Sequence, residues 1–260
     1  MQAKKSGLLF ILVLVAATAT GATTLPFPED LLHGEQGQSL KEVVKDSTIH
    51  HQMSGLRLYG GQAVFEYLST HPDFAASLAQ AAGLLKYTVE RRGEAEFWAN
   101  DHDGLTTRFA ILRAESGEMV VYGKGMYKKG IFRIPARVAL VMQYAEGRDG
   151  DSPYVQNTVA GYLRLDSGFF DVLARLFRRP AERRMEKRVN WFMRKANKLM
   201  IRLYEDPESL LQKLPPDTWH GEKKQLRLLL APHPDGTDNL VQTRSRLDPR
   251  EHTARRILQS

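Results

Sequence analysis

The chain contains no cysteine, which excludes structural disulfides, thiolate zinc sites, cysteine nucleophiles and a lipidated cysteine. Beyond its N-terminal segment it has no apolar run close to the roughly 20 residues that a spanning helix needs. No serine sits in a G-x-S-x-G elbow, and no glycine-rich turn lies between a strand and a helix, where phosphate is cradled. Gly123-Lys124-Gly125 and Gly130 have the composition of such a loop but fall inside a strand pattern, where small residues let a sheet bend. His50 and His51 are adjacent and point apart on any regular element, which makes them poor joint metal ligands. Neither a metal nor a cofactor is expected, and there is no internal repeat.

What is present fits one domain with terminal extensions: 260 residues, 42% of them hydrophobic. Lys4 and Lys5, the apolar run Leu8 to Ala17 and the small residues Thr20-Gly21-Ala22 follow the order of an export signal. Residues 1–22 are therefore expected to be a cleaved signal peptide, and the mature protein to be periplasmic or secreted. Residues 23–59, with Pro26, Pro28, several glycines and scattered charge, are expected to form an irregular leader in which a short helix at Leu40 to Lys45 is allowed.

Residues 60–214 carry the periodic patterns. Val64, Phe65 and Leu68 suit one face of a short helix. Thr70-His71-Pro72-Asp73 has the spacing of a capping box ahead of a second, marked by Phe74, Leu78 and Ala82 and ended by Gly83. From Leu84 to Asp166 the period falls to two. Leu105, Thr107, Phe109 and Ile111 alternate, as do Phe132, Ile134, Ala136, Val138, Leu140, Met142 and Tyr144, and then Val155, Val159, Leu163 and Leu165. Leu85-Tyr87-Val89 and Ala95-Phe97-Ala99 are weaker strands, and Ser116-Gly117, Lys129-Gly130 and Gly147 to Ser152 mark reversals. About six antiparallel strands are expected.

One apolar sheet face requires a cover. Met185, Val189, Phe192, Ala196, Leu199 and Leu203 recur in steps of four and three, placing one stripe on a long helix from Pro180 to about Tyr204. Asp166 or Ser167 is expected to cap a shorter helix, Phe169 to Phe177, separated from the long one by a bend at Arg179-Pro180. From Arg175 to Arg202 eleven Lys or Arg stand against Glu182 and Glu186, so the chain's net charge of +7 resides in this element. Residues 215–260 are polar and Arg-rich and are expected to be a mostly mobile tail, apart from Leu226 to Ala231, a stray strand or docking segment.

Two short helices, a curved antiparallel sheet and a long C-terminal helix laid across it make an α+β chain that resembles the helix-grip fold of the START-like, or SRPBCC, superfamily. Ala63-Val64-Phe65-Glu66-Tyr67-Leu68 before the sheet and Asn190-Trp191-Phe192-Met193-Arg194-Lys195-Ala196-Asn197 in the last helix carry the same texture. The segment Phe169 to Phe177 departs from the plainest version of that fold. The resemblance, over Gln62 to Leu214, implies a cavity between sheet and helix that binds lipids or other apolar molecules. Phe109, Ile111, Val138, Leu140, Met142, Val189, Phe192 and Ala196 are its candidate lining; their periodicity alone reports burial, which a filled core satisfies equally.

Asn100-Asp101-His102-Asp103-Gly104 is the densest cluster of chemistry-bearing side chains. Asp101, His102 and Asp103 suit cation binding or proton transfer, while Asn, Asp and Gly together also suit a hairpin loop. Phe169, Phe170, Leu173 and Phe177, followed by Arg178 and Arg179, suit contact with an anionic membrane surface or, equally, closure of one end of the sheet. Charge alone would allow nucleic acid, but the export signal argues against it. The leading expectation is an exported protein that binds or transfers a lipid or other apolar small molecule. An enzyme using the same cavity, and a non-catalytic envelope module whose basic helix meets an acidic partner, are the alternatives.

Overall fold

The structure, a computed structural model, describes residues 27–115, 117–167 and 178–231, with backbone only for Lys129, Phe132, Arg188 and residues 178–186. The expected signal peptide, the expected short helix Phe169 to Phe177 and residues 232–260 lie outside the described residues. Seven antiparallel strands form one sheet: β1 (Ile49–Tyr59), β2 (Thr88–Arg91), β3 (Glu96–Asn100), β4 (Leu105–Glu115), β5 (Glu118–Lys129), β6 (Phe132–Asp149) and β7 (Ser152–Leu165). Strands β2 to β7 meander in chain order, and β1 adds to the far edge beside β7, giving β1-β7-β6-β5-β4-β3-β2. The two-residue reversals after β5 and β6 place Gly130 and Gly150 at φ +58° and +61°, the left-handed backbone that tight hairpins require.

Six α-helices accompany the sheet among the described residues: α1 (Gly34–Lys45), α2 (Gln62–Thr70), α3 (Pro72–Ala81), α4 (Arg178–Glu205), α5 (Pro207–Leu211) and α6 (His220–Leu230). No helix among these residues is long and apolar enough to cross a membrane. The chain is therefore α+β, with one strand more than the alternation predicts.

The extra strand corrects the expectation of an irregular leader at residues 23–59. After a 3-10 turn at Glu29–Leu32 come α1 and then β1, which pairs with β7 along its length. Its alternation is hidden because the register slips between Met53 and Leu56. The bulge moves the inward phase from odd positions, Ile49 and Met53, to even ones, Leu56 and Leu58.

A second correction concerns the other sheet face. Leu40, Val43 and Val44 of α1 and Phe27 are buried with Val120, Tyr122, Ala139, Val141 and Tyr162 in a separate apolar cluster. The odd positions of β6 are thus core where Ala139 and Val141 stand, and both faces of the sheet are covered. Charge fastens this layer. Arg137 and Arg164 are cross-strand neighbours; Arg137 bonds Asp166 at 2.7 Å and Glu42 at 3.0 Å, and Arg164 bonds Asp46 at 2.9 Å. These contacts raise the Arg137 pKa, the Asp166 hydrogen bond first among the causes, with burial opposing. Asp166, foreseen as a helix cap, gives its carboxylate to Arg137.

The capping box foreseen at Thr70 is also replaced. Thr70 is the last residue of α2, and its hydroxyl donates to that helix's own carbonyls at Glu66 and Tyr67. Pro72 starts α3 with no side-chain cap, and Asp73, 4% exposed, binds Arg91 at 3.0 Å. Gly83, at φ +65°, ends α3 as expected.

Helix α4 runs along β1 and the inner sheet face. Val189, Leu199, Met200 and Leu203 are buried, and Phe192 and Ala196 pack partly buried against the same core. Its C-terminal half is tied down by Tyr204, whose hydroxyl accepts from Gly61 N at 2.7 Å, and by Arg202, which donates to Ala82 O. Gly60, at φ +127°, leaves no room for a side chain: a Cβ there would stand 2.7 Å from Met200 and Tyr204. Within the tail expected to be mostly mobile, Leu226 to Leu230 is neither strand nor loose segment but the end of α6, with Ala231 as its C-cap and Leu226 fully buried.

Candidate functional site

Between the inner sheet face and α2, α3 and α4 lies a cavity of about 300 Å³, at the low end of the roughly 300–1,000 Å³ typical of small-molecule sites. All eight positions singled out by periodicity line it: Phe109 and Ile111 of β4, Val138, Leu140 and Met142 of β6, and Val189, Phe192 and Ala196 of α4. Strand alternation aims the first five to one face, and the helical stripe lays the other three opposite. Each is apolar, so the wall offers shape and dispersion more than polar recognition.

The remaining lining includes residues whose pattern was unreadable. Met53, Leu56 and Leu58 enter from β1, where the bulge breaks the alternation, and Ala75, Ala76 and Ala79 enter from α3, where small side chains leave room. On β5, Gly123 sits between Phe109 and Val138. A Cβ there would come within 3.2 Å of Phe109 Cβ and 3.3 Å of Val138 Cγ1. The glycine serves close packing of two wall residues, a reason not legible from Gly123-Lys124-Gly125 as a string.

Few polar residues reach the wall: Ser69, Tyr87, Asn157 and Lys195. Burial pushes the Tyr87 phenol above its ordinary range. Asn157 donates through Nδ2 to Val155 O at 3.1 Å, while its buried Oδ1 has no hydrogen-bond partner among the described residues. Lys195 is half-buried, and its ammonium lies 5.5 Å from the centroid of the Trp191 ring. It stands three residues after Phe192 and four before Leu199, so helical spacing puts it beside the apolar stripe although it belongs to the basic run.

The acidic and histidine cluster lies elsewhere. Asp101, His102 and Asp103 do not line the cavity; they form the β3–β4 loop. Asp101 Oδ1 accepts from Asp103 N and Leu105 N, both at 2.8 Å, and Asn100 Oδ1 accepts from His102 N at 2.8 Å. His102 takes φ +57° and its Nε2 lies 2.6 Å from Thr88 Oγ1. These are hairpin-closing bonds. Burial raises the Asp101 pKa, with the two backbone N–H bonds opposing it. No group of three or more potential metal ligands occurs among the described residues. His50 and His51 do diverge along β1: His50 stacks on Tyr162 at 4.4 Å and His51 is buried.

A second hollow, of about 350 Å³, lies by α2 and α6 and is walled by Glu66, Tyr67, Thr70, Glu115 and Gln225 among others. Tyr144 borders it; burial, with Glu66 alongside, pushes its phenol up to about 12. Of the membrane-contact candidates, Phe169, Phe170, Leu173 and Phe177 lie outside the described residues, and Arg178 and Arg179 are placed by backbone alone at the described start of α4.

No protein-family model matches the chain, and no curated protein does. A solved structure described as a conserved protein from Geobacillus kaustophilus is similar at 13% identity, with a TM-score of 0.45, covering 60% of this chain and 97% of that one.

Proposed function

We propose that this chain is a carrier that encloses a lipid or other apolar small molecule between its sheet and α4, in a helix-grip arrangement of START-like type. The observation that carries the reading is the cavity itself: five strands, two short helices and the long helix contribute an almost unbroken apolar wall around about 300 Å³. Solid packing is the ordinary outcome for a protein interior, so a hollow lined on one side by the small alanines of α3 supports a ligand site. The Asp101, His102 and Asp103 loop stands apart from this wall, which favours a carrier over an enzyme working in the cavity. Lys187, Arg194, Lys198 and Arg202 are exposed on the outer side of α4, a basic face suited to delivery at an anionic membrane of the cell envelope.

The test is to purify the protein without detergent, extract it with organic solvent and analyse the extract by mass spectrometry. A stoichiometric apolar compound is expected, and Ala196→Trp, which fills the cavity, removes it while leaving the circular dichroism spectrum unchanged. An extract that stays empty from protein that also takes up no apolar probe would sink the carrier reading.

A further inference from the structure

We propose that the molecule held in the cavity is a single-chain amphiphile with an anionic head, a carboxylate or a phosphate monoester, and that Lys195 is the residue that receives that head. The inference rests on the carrier reading and adds the chemistry of the ligand's polar end. Three observations support it.

First, among the described residues Lys195 is the single charged one lining the cavity, and no described aspartate or glutamate accompanies it there. The rim therefore carries a net positive charge, complementary to an anion and hostile to a cationic head. Secondly, no carboxylate pairs with Lys195 among the described residues. Elsewhere in the chain Arg137, Arg164 and Arg227 are each matched to acidic side chains. Thirdly, the position is right for a boundary. Lys195 is half-buried and lines the cavity, helical spacing sets it on the same side of α4 as Phe192 and Leu199, and its ammonium lies beside Trp191, which is 38% exposed. A stem along an apolar wall with its charge at the solvent border is the way lysine spans such a boundary. An amphiphile aligned with it would place its chain in the cavity and its head at the ammonium.

The size of the hollow narrows the ligand further. About 300 Å³ accommodates one acyl chain or a small ring system rather than the two chains of a membrane phospholipid. A carboxylate or phosphate meeting the ammonium forms a charge-assisted hydrogen bond, stronger than the neutral bond an alcohol would make.

The test uses the full chain, delipidated, with three probes that share one tail: dodecanoate, dodecyl phosphate and 1-dodecanol, titrated by calorimetry at low and high salt. At low salt the two anions are expected to bind about tenfold more tightly than the alcohol, and the preference shrinks as salt screens the charge. Which anion binds better identifies the head group. Lys195→Met is expected to bring the three within about twofold of one another by weakening the anions alone, whereas Lys195→Arg retains the preference because the charge is kept. Equal affinity of the wild type for dodecanoate, dodecyl phosphate and 1-dodecanol would overturn the anionic head and leave the apolar carrier standing. Anion preference unchanged in Lys195→Met would overturn the role of Lys195. Failure of all three probes to bind overturns the head-group proposal together with the carrier reading beneath it.

Discussion

The side-chain amide of Asn197 stands where a further strand would pair with β1: its Oδ1 accepts from Tyr59 N and its Nδ2 donates to Arg57 O, each at 2.9 Å. An edge strand presents unpaired backbone groups that invite pairing with another chain. Here a helix covers that edge and also satisfies it, which fixes the height at which α4 crosses β1 and hence the depth of the cavity behind it. Asn197→Ala is expected to cost about 1–3 kcal/mol, the penalty for leaving partly buried backbone groups unpaired. Urea denaturation checks this through the midpoint at unchanged slope; a wild-type midpoint would mean that apolar contacts alone hold the helix.

The layer on the outer sheet face makes a separate prediction. Leu40 is fully buried against the outer cluster, so residues 34–45 are part of the folding unit and not a dispensable leader. Leu40→Ala is expected to destabilise by about 2–5 kcal/mol, the range for emptying a buried leucine site. Removal of residues up to Lys45 should leave a chain that aggregates, because Val120, Tyr122, Ala139 and Val141 would face water. A soluble, equally stable truncated protein would contradict the packing described for α1.

Leu40 and Val141 also show where the sequence was legible and where it was not. The inner wall could be read because period two from Val138 to Met142 and the four-and-three spacing from Val189 to Ala196 each report one face. The outer core escaped because Ala139 and Val141 share odd positions with Arg133, Arg137 and Gln143; a strand covered on both faces reads as polar when only its charged members are weighed. Strand β1 escaped because a bulge changes the phase of alternation inside it, so that neither half is long enough to register. Lys195 escaped for a different reason: among so many basic residues on one helix, composition could not tell the rim from the outer face. Whether the space inside was filled or hollow depends on volumes summed over several elements, which no local pattern encodes.

Gly123 offers a direct handle on that hollow. Its missing side chain lets Phe109 and Val138 approach across β5, and its backbone φ is not left-handed, so a substitution acts through volume and not through backbone strain. Gly123→Val is expected to displace the wall residues Phe109 and Val138, weaken binding of the fluorescent probe anilinonaphthalene sulfonate, and cost about 1–3 kcal/mol through overpacking. Gly123→Ala should show the same direction with a smaller effect. Fluorescence titration beside thermal melts separates the two contributions. Full binding by a folded Gly123→Val protein would place the bound probe elsewhere.

Asp101 provides the pH dependence. Burial raises its pKa above the ordinary 3.8, so the folded protein holds this proton more tightly than the unfolded chain does. The group therefore takes nothing from stability at pH well below 3.8 and takes progressively more as pH rises through the folded-state value, above which the full cost is present. Asp101→Asn keeps the Oδ1 acceptor for Asp103 N and Leu105 N and removes the buried charge. It is expected to melt higher than the wild type at pH 7, with the advantage fading as the pH falls toward the ordinary value of 3.8. Asp101→Ala, which loses both hydrogen bonds, should be destabilised by about 1–3 kcal/mol. Thermal melts of the three proteins across this pH range check the ordering. Should Asp101→Asn instead be weaker than the wild type at pH 7 and equal to it at pH 4, the ionised carboxylate would be favoured in the folded state. A bound cation at this loop would then be the reading to pursue, since its β3–β4 hairpin bonds are present in both proteins.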